Sequence, residues 1–154
     1  MRIASLAILV LLVAAAPAAA SERVVSRDGR VGDAQVGVSR AAAIQAAEGR
    51  PTQVRRHASG VRWTYACGRE RGSTYRFDAR GVLAEFRTTC RSWRTADGTR
   101  AGDGRAIAEF IEGTGAADAG CGLRIRRRGR VGLSVTFATR LSPVRALAVT
   151  RRSC

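Results

Sequence analysis

His57 is the one imidazole in the chain, and imidazole is the side chain that exchanges protons near neutral pH. With Glu70 or Glu85 and an arginine it would make the acid–base set of a small secreted nuclease. Nothing in the spacing requires these residues to converge. The surrounding R-R-H-A-S-G reads as a turn, so a solvent-facing loop histidine is expected. Ser59-Gly60 and Ser142-Pro143 lie outside any G-x-S-x-G elbow. The segment G-T-R-A-G-D-G from Gly98 to Gly104 lacks the lysine and the spacing of a phosphate-binding loop and reads as a linker. Asp97, Asp103 and Glu109 do not follow a calcium-loop pattern. The sequence therefore assigns no catalytic residue, no metal and no cofactor.

Charge carries more information. The chain has 27 basic and 12 acidic residues, a formal net charge of +15, and every basic residue is arginine. Arginine's planar fork suits phosphate and carboxylate, so an anionic partner is expected: nucleic acid, phospholipid head groups or an acidic envelope polymer. A GC-rich coding bias accounts for arginine over lysine but not for the positive excess itself. The densest group, Arg124, Arg126, Arg127, Arg128 and Arg130, straddles a hairpin and is the candidate anion contact. Arg91, Arg94 and Arg100 surround Trp93, where a guanidinium would stack on indole. Arg55 and Arg56 make a third group. A nucleic-acid binder needs aromatics exposed between its arginines. Here they fall on core faces, so no specific nucleic-acid partner is expected.

Cys67, Cys90, Cys121 and Cys154 contain no C-x-x-C pair, which argues against zinc. Residues 1–20 read as a cleaved signal peptide. Arg2 is the positive start, Ile3 to Val13 the apolar stretch, and Ala18-Ala19-Ala20 the small-residue cleavage site. A secreted or periplasmic location follows, with no membrane span after cleavage, and in oxidising surroundings two disulfides are expected.

Residues 21–36 read as a loosely held, flexible lead-in with a turn at Asp28-Gly29. A helix then runs from Arg40 to Glu48, with Ser39 as N-cap and Gly49 as the left-handed stop. Alternation predicts strands over Val61–Cys67, Ser73–Phe77 and Val82–Thr89, with Val54–His57 as a short edge strand. In the first of these Val61, Trp63, Tyr65 and Cys67 share one face and Arg62 and Thr64 the other; Asp78 to Gly81 reads as a hairpin turn, and in the last main strand Val82, Ala84, Phe86 and Thr88 share a face. Asp103 is read as the cap of a second helix over Gly104–Glu112, with Ala106, Ile107, Phe110 and Ile111 as its apolar stripe and Gly113 as its stop. Strands follow over Cys121–Arg126, Val131–Ala138 and Val144–Thr150, with Arg127 to Arg130 as a turn. Trp63, Trp93, Tyr65, Tyr75, Phe77, Phe86, Phe110 and Phe137 are the large core candidates.

The two halves align. G-V-S-R-A at Gly37 matches G-D-G-R-A at Gly102, and Phe77 matches Phe137. Val82, Ala84 and Thr88 match Val144, Ala146 and Thr150. The spacing is about 60–65 residues, that of a large repeat unit. Residues 37–95 and 96–154 are therefore expected to be two tandem repeats. The alignment favours the pairing Cys67–Cys90 and Cys121–Cys154, closing loops of roughly 24 and 34 residues. The other two pairings stay open.

The run G-V-S-R-A-A-A-I-Q-A-A-E-G-R-P-T, then R-W-T-Y-A, then S-T-Y-R-F-D-A-R-G-V-L-A-E-F-R-T-T, resembles a BamE-like (SmpA/OmlA) repeat. That fold is similar to the β-lactamase inhibitory proteins, a tandem of two such units. Leu83 stands at the valine position of the F-D-x-x-G-x-V hairpin, and the lipoprotein cysteine is missing. The resemblance implies an α+β fold: two repeats, each a short helix packed on a three- to four-stranded antiparallel sheet. It transfers no binding residue. The expected function is a secreted, non-catalytic binding module for a protein partner or an anionic surface polymer. A small nuclease-like hydrolase and an extracellular enzyme inhibitor are the alternatives.

Overall fold

The computed structural model describes residues 22–69, 71–113, 117–118, 123–128, 131–137 and 142–150. The signal-peptide expectation for residues 1–20 and the Cys121–Cys154 pairing lie outside the described residues. The fold is α+β. Three short strands open it: β1 (Val24–Val25), β2 (Arg30–Val31) and β3 (Ala34–Gln35). Helix α1 (Ala41–Glu48) leads to β4 (Gln53–His57), β5 (Gly60–Ala66), β6 (Gly72–Phe77) and β7 (Leu83–Thr88). After β8 (Arg94–Thr95), helix α2 (Arg105–Glu112) leads to β9 (Ala117–Asp118), β10 (Leu123–Arg128), β11 (Val131–Phe137) and β12 (Val144–Thr150).

The eight strands that follow the helices form one sheet in the order β4-β5-β6-β7-β12-β11-β10-β9, antiparallel throughout. β7 and β12, the last strand of each set, pair at its centre. Each would otherwise leave one edge of backbone N–H and C=O groups unpaired, and each satisfies the other.

The lead-in is packed, not loose. β1, β2 and β3 join β8 in a small second sheet, and Val25, Val31 and Val36 are buried. Its valines supply apolar area to the core, and the Asp28-Gly29 turn folds them back: Gly29 sits at φ 96°, and its N–H bonds to the Ser26 carbonyl.

The core lies on the inner face of the large sheet. Tyr65, Tyr75, Phe86 and Trp93 touch in a chain of ring contacts, and Trp63 and Phe77 form a separate pair, all at 4.6–5.5 Å between centroids. Trp93 is therefore not a platform for Arg91, Arg94 and Arg100; it is buried against Phe86. In β7 the buried residues are Leu83, Phe86 and Thr88, not Val82 and Ala84. Arg76 pairs with Glu85 but Phe77 with Leu83, so a bulge at Ala84 breaks the alternation and turns Leu83 inward. A disulfide joins Cys67 to Cys90 across β6.

Both helices begin differently from expectation. Arg40 and Gly104 occupy the N-cap positions without side-chain caps. The Ser39 hydroxyl accepts from the Gln35 N–H, and Asp103 accepts from the Arg100 N–H, so both are used in the turns that precede the helices. Gly49 and Gly113 stop the helices at φ 80° and 79°. α1 buries Ile44, and the Tyr75 hydroxyl donates to Glu48 at 3.0 Å. Burial, reinforced by the Glu48 charge, pushes the Tyr75 phenol far above its ordinary value. α2 buries Ala108 and Glu112, while Ile107 and Phe110 are exposed, Phe110 by 88%. The anchors decide this orientation. Glu112 accepts from the Thr95 hydroxyl and pairs with Arg27, and Arg105 lies over the Phe137 ring at 5.2 Å.

Candidate functional site: the arginine-lined outer face of the sheet

Alternation that sends Trp63, Tyr75 and Phe86 inward sends their neighbours outward. On the outer face the registers align residues from four strands into two rows. One row is Arg55, Arg62, Arg76 and Glu85; the other is Gln53, Thr64, Thr74 and Arg87. Together they line a shallow depression of about 340 Å³. Neighbouring strands lie about 4.8 Å apart, so Arg55, Arg62 and Arg76 stand abreast within roughly 10 Å.

Like charges directly opposite each other in a sheet are unfavourable. Of these four arginines only Arg76 has a carboxylate partner among the described residues: its Nε donates to Glu85 at 2.9 Å. Arg55, Arg62 and Arg87 are exposed without an ion pair there. Four guanidinium groups thus surround the hydroxyls of Thr64 and Thr74, with one carboxylate at the edge. An anionic group placed over Thr64 and Thr74 would accept hydrogen bonds and relieve the repulsion.

The larger cleft lies elsewhere, about 750 Å³ beside the small sheet. Several of its charges are engaged within the fold. Arg27 pairs with Asp97 at 2.7 Å, Arg94 with Glu22, and the Ser26 hydroxyl donates to Asp28. That bond, helped by the Arg30 backbone and charge, lowers the Asp28 carboxyl below its ordinary range against the opposing effect of burial. Arg30 and Asp33 line it as well, and its four carboxylates outnumber its two arginines, so it does not favour an anion, whereas the sheet face does.

The candidate arginines of the hairpin fall on β10, which runs on through Arg128 where a turn was expected. Arg124 pairs with Ser134, and the row Gln53, Thr64, Thr74, Arg87 continues through Ala148 and Ser134 to Arg124. Ile125 pairs with Leu133 but Arg128 with Val131, so Arg126 and Arg127 stand in a bulge. Arg130 lies outside the described residues. Sequence reasoning named Arg55 and set Arg62 on the outward face, but did not join them to Arg76 and Arg87. Their outward parity was the available signal; their alignment across strands had none.

His57 ends β4 exposed, and Glu85 sits three strands away, about 14 Å by strand spacing. The structure does not bring the two together, and Glu70 lies outside the described residues.

No protein family and no curated protein matches this sequence. Two solved structures share the fold. A DUF4309 family protein (YjgB) of Bacillus subtilis superposes with a TM-score of 0.54 at 13% identity, covering 78% of this chain and 83% of its own. An extracellular protein containing a SCP domain from Bacillus anthracis gives 0.53 at 8% identity over 75% of this chain. The match spans 43% of that longer protein.

Proposed function

We propose that this protein is a non-catalytic binding module that works outside the cytoplasm and meets an anionic partner on the outer face of its large sheet. One observation carries the reading. Arg55, Arg62 and Arg76 stand side by side with a single carboxylate among them. A row of like charges held by a rigid sheet is unfavourable alone and favourable against an anion. Location outside the cytoplasm draws on three features: the leader-like residues 1–20, the Cys67–Cys90 disulfide, and a fold shared with a protein described as extracellular. Among the described residues no helix is long and apolar enough to cross a membrane.

The tandem-repeat architecture belongs to this proposal, and the register supports it. Under the sequence alignment Thr88 corresponds to Thr150, and Glu85 to Leu147. β7 and β12 pair Thr88 with Leu147 and Glu85 with Thr150, which is the exchange a two-fold relation between equivalent strands requires. Before α1, Gly37 N–H bonds to Leu83 O and Leu83 N–H to Ser39 O. Before α2, Gly102 N–H bonds to Val144 O and Val144 N–H to Asp103 O. The two sets are displaced by one residue from the sequence alignment, in which Val82 matches Val144 and Ser39 matches Gly104, but they tie each helix to its last strand in the same way, which fits the tandem of the BamE-like and β-lactamase-inhibitor resemblance.

The test is a salt titration of binding to polyphosphate and to polyglutamate. Replacing Arg62 and Arg76 with serine should weaken binding and flatten its salt dependence. Replacing Arg126, Arg127 and Arg128 with serine measures the hairpin's share. Binding unchanged in both triple and double variants, with the fold intact by circular dichroism, refutes the anion-binding face.

A further inference from the structure

Among the described residues β4 is the outermost strand at its end of the large sheet, and all five of its residues are exposed. Its hairpin with β5 closes on the pair His57–Gly60 through a two-residue turn. Such a closing pair is hydrogen-bonded, and antiparallel ladders alternate. The N–H and C=O groups of Val54 and Arg56 therefore point off the sheet. Beside this edge an open groove of about 660 Å³ runs between the end of α1 and the inner face. Val54, Val61 and Trp63 line its apolar side, and Arg50 and Arg56 its rim. Val54, a β-branched residue that favours strand pairing, is 50% exposed.

Open edges invite pairing, and charge is the common defence. Here the defence is selective. A second copy of β4 laid antiparallel and centred on the first would set Arg55 against Arg55, which like charge opposes. An acidic strand meets attraction instead. Arg55 lies on the outer face beside Arg62, and Arg56 on the inner face with Val54. An incoming strand thus meets an apolar position opposite Val54 and positive charge opposite both arginines.

We infer that β4 accepts an extended segment of a partner protein as a further antiparallel strand, and that this segment reads acidic, acidic, apolar from its N-terminus. This deepens the anion-binding reading by naming a protein strand as the partner. The acidic residues lie opposite Arg56 and Arg55, and the apolar residue opposite Val54 beside the groove. Backbone hydrogen bonds to Val54 and Arg56 supply affinity, and side-chain alternation supplies selectivity.

The experiment is fluorescence anisotropy with the full chain and a capped peptide carrying Thr-Glu-Glu-Val-Thr. Binding should be salt-sensitive and about ten-fold weaker when the valine nitrogen is methylated, because that removes a ladder hydrogen bond. The double variant Arg55→Glu/Arg56→Glu should lose this peptide and gain Thr-Lys-Lys-Val-Thr. Equal binding of the methylated and unmethylated peptides overturns the inference. So does absence of peptide binding while polyphosphate still binds, an outcome that leaves the anion-binding face standing. Failure of peptide and polyphosphate together removes both.

Discussion

The two faces of the large sheet are made from alternate residues of the same strands, yet they are held by opposite physics. On the inner face Tyr75, Phe77, Leu83 and Phe86 are removed from water, and contact between rings fixes their positions. On the outer face Arg55, Arg62 and Arg87 stay in water and repel one another. Among the described residues, one ion pair, Arg76 with Glu85, is all the charge pairing those four arginines have. The inner face supplies the rigidity that keeps the outer charges abreast. Under the proposed function, structure and binding are separated by the thickness of one sheet, and substitutions on the two faces should separate them experimentally.

The strongest way to break the inner face is Phe86→Ala. The ring is fully buried between Tyr75 and Trp93, and its loss should cost about 3–5 kcal/mol in urea unfolding. Removing the disulfide with Cys67→Ser and Cys90→Ser should cost about 2–4 kcal/mol, read the same way under non-reducing conditions. Arg62→Glu moves the comparison to the other face. Polyanion affinity should fall about ten-fold, while the urea midpoint stays level or rises as the charge row is relieved. Glu85→Gln works in the opposite sense. It frees Arg76, and polyanion binding should tighten a few-fold at low salt and converge with wild type at high salt. The smallest effect belongs to Ile107→Ser with Phe110→Ser. Both side chains face solvent, so stability should move by no more than about 0.5 kcal/mol. A loss of several kcal/mol there would mean that α2 packs on its apolar stripe after all.

The helices show how far local pattern reaches. Gly49 and Gly113 were legible as stops because a left-handed residue is a local requirement. The Asp78–Gly81 turn was legible for the same reason: the Asp78 carboxylate accepts from the Arg80 and Val82 N–H groups within its own loop. The burial of α2 was not legible. Its stripe of Ile107 and Phe110 is the apolar face by periodicity, but Glu112, Thr95 and Arg27 form a polar anchor that holds the opposite side against the sheet. That anchor joins residues up to 85 positions apart. Likewise Ser39 and Asp103 have the chemistry of caps, and only the preceding turns decided that their oxygens were engaged elsewhere.

From residue order alone came the α+β alternation, most strand positions, the glycine stops and the outward parity of Arg62. These depend on interactions within a few residues, where spacing and side-chain type settle the outcome. Tertiary structure decided that β7 would pair with β12, that the lead-in would join the core, that Ala84 would bulge, and that arginines from separate strands would stand in one row. Register between distant strands is chosen by the whole sheet's hydrogen bonding and burial together, and no single segment carries that information.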